Sequence, residues 1–464
     1  MPGISRRSFL RSSFAASAAV AAQASVFGAV PASGEVDILI VGAGAAGIAA
    51  ARRVATANRR FALVEASDHI GGRCVTDTRA FSVPFDRGAH WIHKPDSNPL
   101  TKLASGTGLE IYPAPRAQIL RVPPRAARDA EMEQYFSMLV QASRAVTEAG
   151  RGRGDVAARS ALPRELGDWQ ASVEFALGPY SIGKDLGVVS AIDFSRADER
   201  EADAFCRQGY GALLAKLAAG VPVQLSSPVS GLDWDSAIEA RMPSGRIRAR
   251  AAIVTLSTDV LVSGGVSFSP GLPKRQVDAL RALSLGSFDH IAFELPRNPF
   301  GLAPDDLVFE KSAGPKTAAL FANVGGTSLC MVEIAGPFGR ELTRQGEAAM
   351  TAFANDWLVT VFGASAKKSI KRAAVTRWSE DPLTRGAFSA ASPGNADARK
   401  ILMEPLRERI YFAGEAVHET LWGTVGGAWE SGTRAAEAAL RKMGAFSSEP
   451  EAREPRPRLR QRRR

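Results

Sequence analysis

The stretch EVDILIVGAGAAGIAAARRVATANRRFALVEAS, residues 35–67, constrains the fold of this chain more than any other segment. An apolar run at residues 38–41 predicts a buried parallel strand, and glycines in GxGxxG spacing follow it directly. An alanine-rich helix comes next, and a second apolar run at residues 61–64 ends at Glu65. These segments form a complete βαβ unit, so we predict a doubly wound α/β domain that binds a dinucleotide.

Each glycine of this unit has its own physical role. Gly42 allows the tight turn after the strand, Gly44 lets the backbone approach a pyrophosphate, and Gly47 permits close packing of the helix. The helix start stabilises phosphate charge, and Glu65 can accept hydrogen bonds from an adenosine ribose. The motif alone leaves NAD and FAD open. The predicted cofactor contacts of this unit are Gly42, Gly44, Ala45, Ala46, Gly47 and Glu65.

Length and charge limit the class of protein. With 464 residues, 45% of them hydrophobic, the chain is expected to form two or three domains. The net charge of +10 is concentrated at the ends, since residues 448–464 hold seven arginines and three glutamates. The nearly neutral body argues against a nucleic-acid-binding surface. Residues 444–464 are predicted to be a disordered basic tail, either solvated or adhering to an anionic surface.

Cysteine and histidine usage predicts no metal site. Cys74, Cys206 and Cys330 lie far apart and are odd in number, so neither a disulfide framework nor a cysteine-rich zinc site is indicated. The five histidines show no HExxH spacing. We therefore expect no metal cofactor.

The first 32 residues resemble a twin-arginine export signal. SRRSFLR is followed by a charge-free run rich in alanine and serine, with cleavage points after Ala24 or Ala32. A retained membrane anchor is the alternative, which Pro31 and the weak hydrophobicity of the run disfavour. The mature protein is predicted to be soluble and periplasmic or secreted, after passage through the twin-arginine export machinery.

The segment VEASDHIGGR, residues 64–73, resembles the flavin-containing amine oxidoreductase family. In that family a GGR turn brings backbone amides and an arginine to the flavin pyrophosphate, which implies FAD contacts at Gly71, Gly72 and Arg73. FDRGAHWIHKPDSNPL, residues 85–100, is similar to the segment under the flavin ring and is most like the polyamine oxidases. The contacts that this second block implies are Gly88, Ala89, His90 and Trp91.

Later blocks resemble the same family in the same order. SSPVSGLDWD implies that Val229 lies by the adenine, and TRWSEDPLTRGAFSAASPG implies Trp378 against the flavin and Phe388 at its substrate face. RIYFAGEAVHETLWGTVGGAWESGTRAAEAAL, residues 409–440, resembles the closing element, in which a helix start faces the flavin ring. The contacts implied by this element are Gly414, Glu415, Thr424 and Val425.

The resemblance spans residues 35–443 and implies two domains. A Rossmann-type FAD-binding domain would be assembled from three separate segments, and an α+β substrate-binding domain from the segments between them. The FAD-binding segments are residues 35–100, 206–285 and 376–443, and the substrate-binding segments are residues 101–205 and 286–375.

The stretch SLGSFDHIAFEL, residues 284–295, is predicted to be a half-buried strand with Phe288, His290 and Ala292 on one face. In the family, a strand reading approximately LGxxxKxxxxF places a lysine near flavin N5, and His290 falls at the lysine position. An imidazole has an ordinary pKa of about 6.5 rather than about 10.4, yet it can hold a water and take a proton. A core histidine with a hydrogen-bond partner is the alternative.

The resemblance implies an FAD-dependent amine oxidase. A neutral amine would transfer a hydride from its α-carbon to flavin N5, the imine would hydrolyse to an aldehyde plus amine or ammonia, and O2 reoxidation would give H2O2. The predicted catalytic-site residues are His290, His93, Phe388 and Trp378, with Trp91 and Trp422 as further walls of an apolar channel. A loop histidine bonded to backbone is the alternative for His93.

Departures from the family narrow the substrate. Many L-amino-acid oxidases follow GGR with GPMR or GAMR, whose arginine binds carboxylate; GAHW lacks it, which favours amines and polyamines. Ala387 stands where monoamine oxidases hold the cysteine that binds flavin, so non-covalent FAD is expected. Glu174, Asp193 and Asp198 are candidates for binding a polyamine, and solvated surface charge is the simpler interpretation.

Two other functions stay open. A desaturase or porphyrinogen-oxidase relative would share the GxGxxG and GGR elements, although the GAHWIH and Trp378 blocks count against it. A non-catalytic FAD-binding assembly factor acting after export is the other, and its main support is the missing lysine at His290.

Overall fold

The structure is a computed structural model that describes residues 34–115, 118–197, 202–366, 370 and 372–444. The predicted export signal at residues 1–32, Asp198 and residues 445–464 of the predicted tail lie outside the described residues. These three therefore remain predictions.

Nineteen strands and twelve α-helices form the described part of the chain. The strands are β1 Gly34–Val41, β2 Phe61–Val64, β3 Thr76–Asp77, β4 Phe85–Asp86, β5 Ile92–His93, β6 Ile111–Pro113, β7 Gln118–Val122, β8 Arg125–Ala126, β9 Asp203–Cys206, β10 Gly231–Asp233, β11 Ile238–Met242, β12 Gly245–Val254, β13 Ser267–Ser269, β14 Phe288–Glu294, β15 Asp306–Glu310, β16 Ala319–Ala322, β17 Leu329–Ala335, β18 Ala373–Val375 and β19 Ile410–Phe412. The helices are α1 Ala45–Thr56, α2 Pro99–Ala104, α3 Asp129–Gly150, α4 Gln170–Phe175, α5 Ala191–Arg196, α6 Tyr210–Leu217, α7 Thr258–Val262, α8 Lys274–Ala282, α9 Gly336–Gln345, α10 Glu347–Phe362, α11 Ala398–Met403 and α12 Val425–Lys442.

The first large sheet contains the predicted βαβ unit. Its strands lie in the order β13, β10, β11, β12, β1 and β2, and β19 pairs with the end of β12. β1 runs parallel to both neighbours, with Ile40 opposite Ile253 and Leu63. Helices α1 and α12 cover one face, and α7, α8 and α11 cover the other. Parallel strands need this double cover because both of their faces are apolar.

The second large sheet has the order β18, β14, β17, β16, β15, β7 and β8. Its pairs are antiparallel apart from β15 and β7, which run parallel. Helices α9 and α10 cover one face, while α3 and α4 cover the other together with Phe85 and Phe205. The two sheets with their helices confirm the predicted fold class, an α/β dinucleotide-binding fold combined with an α+β part.

Strand β14 is buried on both faces, so the predicted half-buried strand is wrong in its exposure. Ile291 and Phe293 pack toward α9 and α10, whereas Ala292 packs on the α3 and α4 side. His290, on the same face as Ala292, is 4% exposed. The alternation of side chains between the two faces is as predicted. The helices α3 and α4, which bury the face that carries His290 and Ala292, come from a distant part of the chain.

A buried ion pair joins the two parts of the molecule. Arg399 in α11 donates two hydrogen bonds of 2.8 Å to the carboxylate of Asp193 in α5. The same guanidinium donates to Ser389 Oγ and to the carbonyl oxygen of Ala416. Solvated surface charge is thus the wrong interpretation of Asp193, because the arginine that pairs with it lies 206 positions away.

Across the described ranges, no helix combines the length and the apolar character needed to cross a membrane.

Candidate active site

A cavity of about 950 Å³ is lined by residues of both large sheets. It reaches from the GxGxxG turn, past the GGR turn and the start of α12, to the side chains of β14 and β17. Cavities of roughly 300–1,000 Å³ are typical ligand sites. We call the part beside the GxGxxG turn the cofactor end and the part beside β14 and β17 the substrate end.

Glycine geometry shapes the cofactor end. Gly42 has a φ of 102°, which favours glycine, and a Cβ atom at Gly47 would lie 1.8 Å from the Gly42 carbonyl oxygen. A Cβ atom at Gly44 would meet nothing nearer than the Gly71 carbonyl oxygen at 3.9 Å, and one at Gly72 would lie 3.5 Å from the Gly44 Cα. The bare backbone of Gly44 and Gly72 therefore leaves a cradle that added side chains would fill.

The Glu65 carboxylate lies at the end of β2, at the edge of this cradle. One of its oxygens accepts from the Ala43 amide at 2.7 Å, and the other accepts from the amide and the hydroxyl of Ser67 at 2.9 Å each. These bonds hold the carboxylate against the cavity, where it keeps lone pairs for a further donor such as a ribose hydroxyl.

An arginine and a glutamate meet at the middle of the cavity. Arg73 Nη1 lies 3.1 Å from Glu415 Oε1 and also donates to the Ala387 carbonyl oxygen. Glu415 accepts from the Ser389 hydroxyl at 2.8 Å and from the Gly423 amide at 3.1 Å. A guanidinium held in this way presents positive charge to the cavity, as a pyrophosphate requires.

Helix α12 begins at the cavity wall. Thr424 caps it, because its hydroxyl accepts from the Gly427 amide at 2.9 Å and donates to the Leu421 carbonyl oxygen at 2.7 Å. Thr424, Val425 and Gly414 all line the cavity. The start of this 18-residue helix therefore directs its positive dipole end into the site.

The predicted cofactor contacts converge on this cavity. Gly47 is the exception, since it packs α1 against the turn instead. The others line the wall: Gly42, Gly44, Ala45, Ala46, Glu65, Gly72, Arg73, Gly88, Ala89, His90, Trp91, Val229, Trp378, Gly414, Glu415, Thr424 and Val425. Bare backbone, a guanidinium, a helix start and a ribose-type carboxylate fit a dinucleotide. Over the described residues, no group of three or more His, Cys, Asp or Glu side chains could hold a metal.

His290 lies at the substrate end opposite Glu333, its cross-strand neighbour in β17. Its Nε2 is 3.5 Å from Glu333 Oε1, and the Tyr180 hydroxyl donates to Glu333 Oε2 at 2.9 Å. Burial lowers the pKa of His290 to about 4, with His90 acting in the same direction, and burial raises the pKa of Glu333 to about 7. All three side chains line the cavity, and the His290 Nδ1 has no hydrogen-bond partner among the described residues.

Two more histidines at this end are each held by an aspartate. His90 Nδ1 lies 2.9 Å from Asp86 Oδ2, and that carboxylate also accepts from the Tyr210 amide at the start of α6. His93 Nδ1 lies 2.7 Å from Asp203 Oδ1. A carboxylate is therefore the partner of this His93 nitrogen, and a bond to backbone was the predicted alternative. Both imidazoles line the cavity in fixed orientations.

Aromatic side chains wall the substrate end. Trp91 packs edge-on against Phe205 at 4.7 Å between ring centroids, and Phe388 lies 6.1 Å from Phe288. Trp422 also lines the cavity, with the Arg399 guanidinium 4.6 Å from its ring centroid. This apolar wall surrounds the polar cluster and limits the access of water.

Trp378 is fixed by a buried carboxyl behind the cavity. Its backbone amide donates to Asp289 Oδ1 at 2.8 Å, and its indole donates to the Arg87 carbonyl oxygen at 3.1 Å. Thr376 donates to the same oxygen of Asp289 at 3.1 Å. Burial raises the pKa of Asp289 to about 7. Asp289 therefore positions Trp378 without lining the cavity itself.

The sequence prediction missed several acidic groups of the substrate end. Asp203, Asp305 and Glu333 line the cavity, whereas Glu174 instead pairs with Arg159 at 2.7 Å and does not line it. One of these groups could have been found in the sequence, since Glu333 is a single acidic residue inside the apolar strand LCMVEIA of β17. A carboxyl group is rarely buried without a function or a partner, so such a residue is a candidate for the site.

Comparison with protein families decides where the chain belongs. Residues 45–181 and 148–440 match the model of the family described as flavin containing amine oxidoreductase. The chain belongs to this family. The predicted cofactor, non-covalently bound FAD, agrees with the flavin-containing amine oxidoreductases and with the dinucleotide fit of the cavity.

Proteins similar in sequence include a lysine-specific histone demethylase and a polyamine oxidase. The chain is 25% identical over 443 residues to lysine-specific histone demethylase 2 of Homo sapiens, covering 88% of this chain and 53% of that protein. It is 23% identical over 455 residues to polyamine oxidase 4 of Oryza sativa subsp. japonica, covering 88% and 89%. The chain thus spans about half the length of the histone demethylase and most of the polyamine oxidase.

Solved structures of two amine oxidases share the fold. Wild-type putrescine oxidase bound to putrescine matches with a TM-score of 0.74 at 19% identity, covering 88% of this chain and 100% of that chain. Cyclohexylamine oxidase from Brevibacterium oxydans matches with a TM-score of 0.74 at 20% identity, covering 89% and 100%. At these identities the likeness concerns the fold.

Proposed function

We propose that the protein is an FAD-dependent amine oxidase, with polyamines as the leading substrate class. The observation that carries the proposal is one continuous cavity, in which a dinucleotide-shaped end opens onto a buried cluster of imidazoles and carboxyls. When bound, FAD would accept a hydride from the α-carbon of the amine, and O2 or another acceptor would take the electrons onward.

The cofactor end supplies binding and charge. The backbone at Gly44 and Gly72 would receive the pyrophosphate, and the start of α12 would add its dipole. Arg73 would balance the phosphate charge, and Glu65 would bond the ribose. No cysteine stands at Ala387, so these contacts would hold the cofactor without a covalent bond.

The substrate end supplies orientation and proton handling. Phe288, Phe388 and Trp91 would flank the amine and exclude water, while His290 stays neutral near pH 7 because its pKa is about 4. A neutral imidazole can donate one hydrogen bond to a water and accept another, whereas a protonated lysine can only donate. His290 would thus replace the amine-bearing side chain that the resemblance implies at this position.

Carboxyl groups support a substrate with more than one ammonium group. Asp203, Asp305 and Glu333 all lie at the substrate end. The names of two similar proteins, polyamine oxidase 4 and putrescine oxidase, point to the same substrate class. A monoamine has one ammonium group and would pair with only one of these carboxyl groups.

Export is also proposed, on the motif SRRSFLR and the charge-free run after it. The test is expression of the full chain in a bacterium with and without its twin-arginine translocase. We expect a shorter, flavin-loaded protein in the periplasm of the first strain, and we expect Arg6→Lys with Arg7→Lys to abolish this export. Periplasmic protein in both strains would contradict the proposal.

The experiment that tests the activity is anaerobic mixing of the flavin-loaded protein with polyamines, monoamines and amino acids. We expect polyamines to bleach the visible flavin band, and we expect air to restore it with release of peroxide. Bleaching by amino acids alone would overturn the substrate class. If no amine bleaches a protein that retains its flavin, the desaturase-like and non-catalytic functions become the better proposals.

A further inference from the structure

We propose that Glu333 is the proton acceptor of this active site, and that its carboxylate takes a proton from the bound substrate ammonium while Tyr180 and His290 hold it in place. The proposal rests on the amine oxidation proposed above, because hydride loss from the α-carbon requires a free lone pair on the adjacent nitrogen. It adds a residue that the resemblance to the family did not imply.

The position of Glu333 is the first argument. It lies in the middle of β17 opposite His290, is 2% exposed, and lines the substrate end of the cavity. Tyr180 donates to Oε2 at 2.9 Å, which leaves Oε1 with the 3.5 Å contact to His290 Nε2. One carboxylate oxygen is therefore anchored, and the other remains able to form a short bond with a ligand.

The charge around Glu333 is the second argument. Of the described ionisable groups, His290 is the basic side chain within 4.0 Å, and it is a weak base because burial lowers its pKa to about 4. Tyr180 is neutral, since burial raises its pKa well above the usual range. The remaining titratable groups of this end are His90 with Asp86, His93 with Asp203, and Asp305. Burial favours the protonated form of a carboxyl that no cation pairs with directly, and it raises the pKa of Glu333 to about 7 although the Tyr180 hydrogen bond and the charge of His90 lower it.

The other acids of the cavity are less suited to this role. Asp203 is bonded to His93 at 2.7 Å, and Asp305 accepts from the Gly325 amide at 2.6 Å and from the Tyr112 hydroxyl at 3.2 Å. Two donors on one carboxylate stabilise its anion and weaken it as a base. Asp305 has two such donors and the Asp203 side chain is 20% exposed, whereas Glu333 has one donor and its side chain is 2% exposed. Glu333 is therefore the best placed acceptor of the three.

The step is a proton transfer that balances without an oxidant. The N–H bond of the ammonium breaks and its electron pair stays on nitrogen, while an O–H bond forms at Glu333. An ammonium and a carboxylate thereby become a neutral amine and a carboxylic acid. A dry cavity favours this neutral pair over the ion pair, since burying two charges costs more than burying none.

The test uses tert-butylamine, which has no α-hydrogen and cannot be oxidised, with the flavin-loaded protein. Difference infrared spectra at pH 9 are expected to show the carbonyl stretch of a newly protonated carboxyl when the amine is added. The band should vanish in Glu333→Gln and persist in Glu310→Gln. Glu310 is a matched control because it is also buried with a raised pKa, but it bonds Thr317 and Trp357 away from the cavity.

A second measurement follows amine affinity through the shift of the flavin absorbance. The wild-type affinity should stay constant between about pH 8 and 10, because the anionic acceptor uses the abundant ammonium form. Glu333→Gln must bind the neutral amine, so its affinity should rise about tenfold per pH unit over the same range. Loss of affinity by the same factor at every pH would show a fixed counter-ion and overturn the proposal.

The two proposals can fail separately. Absence of the carboxyl band in a protein that oxidises amines would overturn the role of Glu333 and leave the proposed function standing. The band in a protein that oxidises no amine would keep the acceptor and overturn the function.

Discussion

Two buried acid–base pairs in this protein have opposite designs. Asp193 and Arg399 form a closed pair: both are at most 1% exposed, and two bonds of 2.8 Å join them. Glu333 and His290 form an open pair: their contact is 3.5 Å, and His290 Nδ1 has no hydrogen-bond partner among the described residues. The closed pair lies between elements of the fold, whereas the open pair lines the cavity.

The difference shows how burial can serve either folding or ligand binding. The guanidinium of Arg399 has its partners within the protein, and Asp193 also accepts from the Ala391 amide at 2.8 Å. These bonds are all made within the protein, so the closed pair does not present a charge to a ligand. Removing one member would leave the other as an unpaired buried charge. The open pair keeps atoms that can still form hydrogen bonds, in surroundings of low dielectric. A cationic substrate can bind to such a group.

The largest expected effect is on the closed pair. Arg399→Ala should lower the free energy of unfolding by about 3–5 kcal/mol, because the Asp193 carboxylate stays buried without its cation. Urea unfolding of the flavin-loaded protein measures this loss. Lys400→Ala is the matched control: the neighbouring lysine is half exposed, with contacts of 3.5 Å or longer, so its loss should stay within about 0.5 kcal/mol.

A double substitution sharpens the same prediction. Asp193→Leu combined with Arg399→Met removes both charges, so much of the lost stability should return. If the double variant is no more stable than Arg399→Ala, the closed pair acts through its individual bonds and not through charge.

The open pair should make stability depend on pH. Between about pH 4.5 and about 7, the folded protein keeps a proton on Glu333 that the unfolded chain has lost, because its pKa rises from 4.5 to about 7. The contribution of Glu333 to stability therefore falls as pH rises through this window. The lowered pKa of His290 contributes the opposite slope up to about pH 6.5, and the raised pKa of Asp289 contributes a slope of the same sign as that of Glu333. Glu333→Gln should remove the contribution of Glu333, so the stability of the variant relative to wild type should rise with pH and reach up to about 3 kcal/mol at pH 8. Urea midpoints from pH 5 to pH 8 test it, and equal slopes in both proteins would refute it.

A cation placed beside Glu333 should close the open pair. His290→Lys is expected to lower the pKa of Glu333 and to flatten the same pH slope, while flavin reduction by a polyamine continues. His290→Leu should slow that reduction by about tenfold to a hundredfold, since it removes the group that we propose would hold a water. Anaerobic stopped-flow absorbance measures both rates, and equal rates for the lysine and leucine variants would show that position 290 only fills space.

The smallest expected effect is that of the single anchoring bond. Tyr180→Phe removes the hydroxyl that stabilises the Glu333 anion, so the pKa of Glu333 should rise further and stability should fall by about 1 kcal/mol at pH 8. An infrared titration of the carboxyl band gives the midpoint. A midpoint that falls on this substitution would contradict the geometry of the pair.

The cofactor end was largely predictable because its geometry is local. Gly42, Gly44 and Gly47 lie within six positions of one another, and their lack of Cβ atoms determines the turn, the cradle and the helix packing by short-range sterics. Glu65 follows from the length of one helix and one strand. The domain division and the individual FAD contacts rest on the resemblance and remain predictions for a holoenzyme structure.

The substrate end was only partly predictable because it depends on pairing between distant segments. The chain itself marked His290 as unusual, but its exposure, its lowered pKa and its partner Glu333 come from the β14–β17 register and the helices on both faces. The sequence around Asp193 predicts a surface charge, because its partner Arg399 is far away in the chain and only the tertiary structure brings the two together. Backbone sterics act over a few residues and can be read along the chain, whereas desolvation and charge pairing are set by which remote segments exclude water from a side chain.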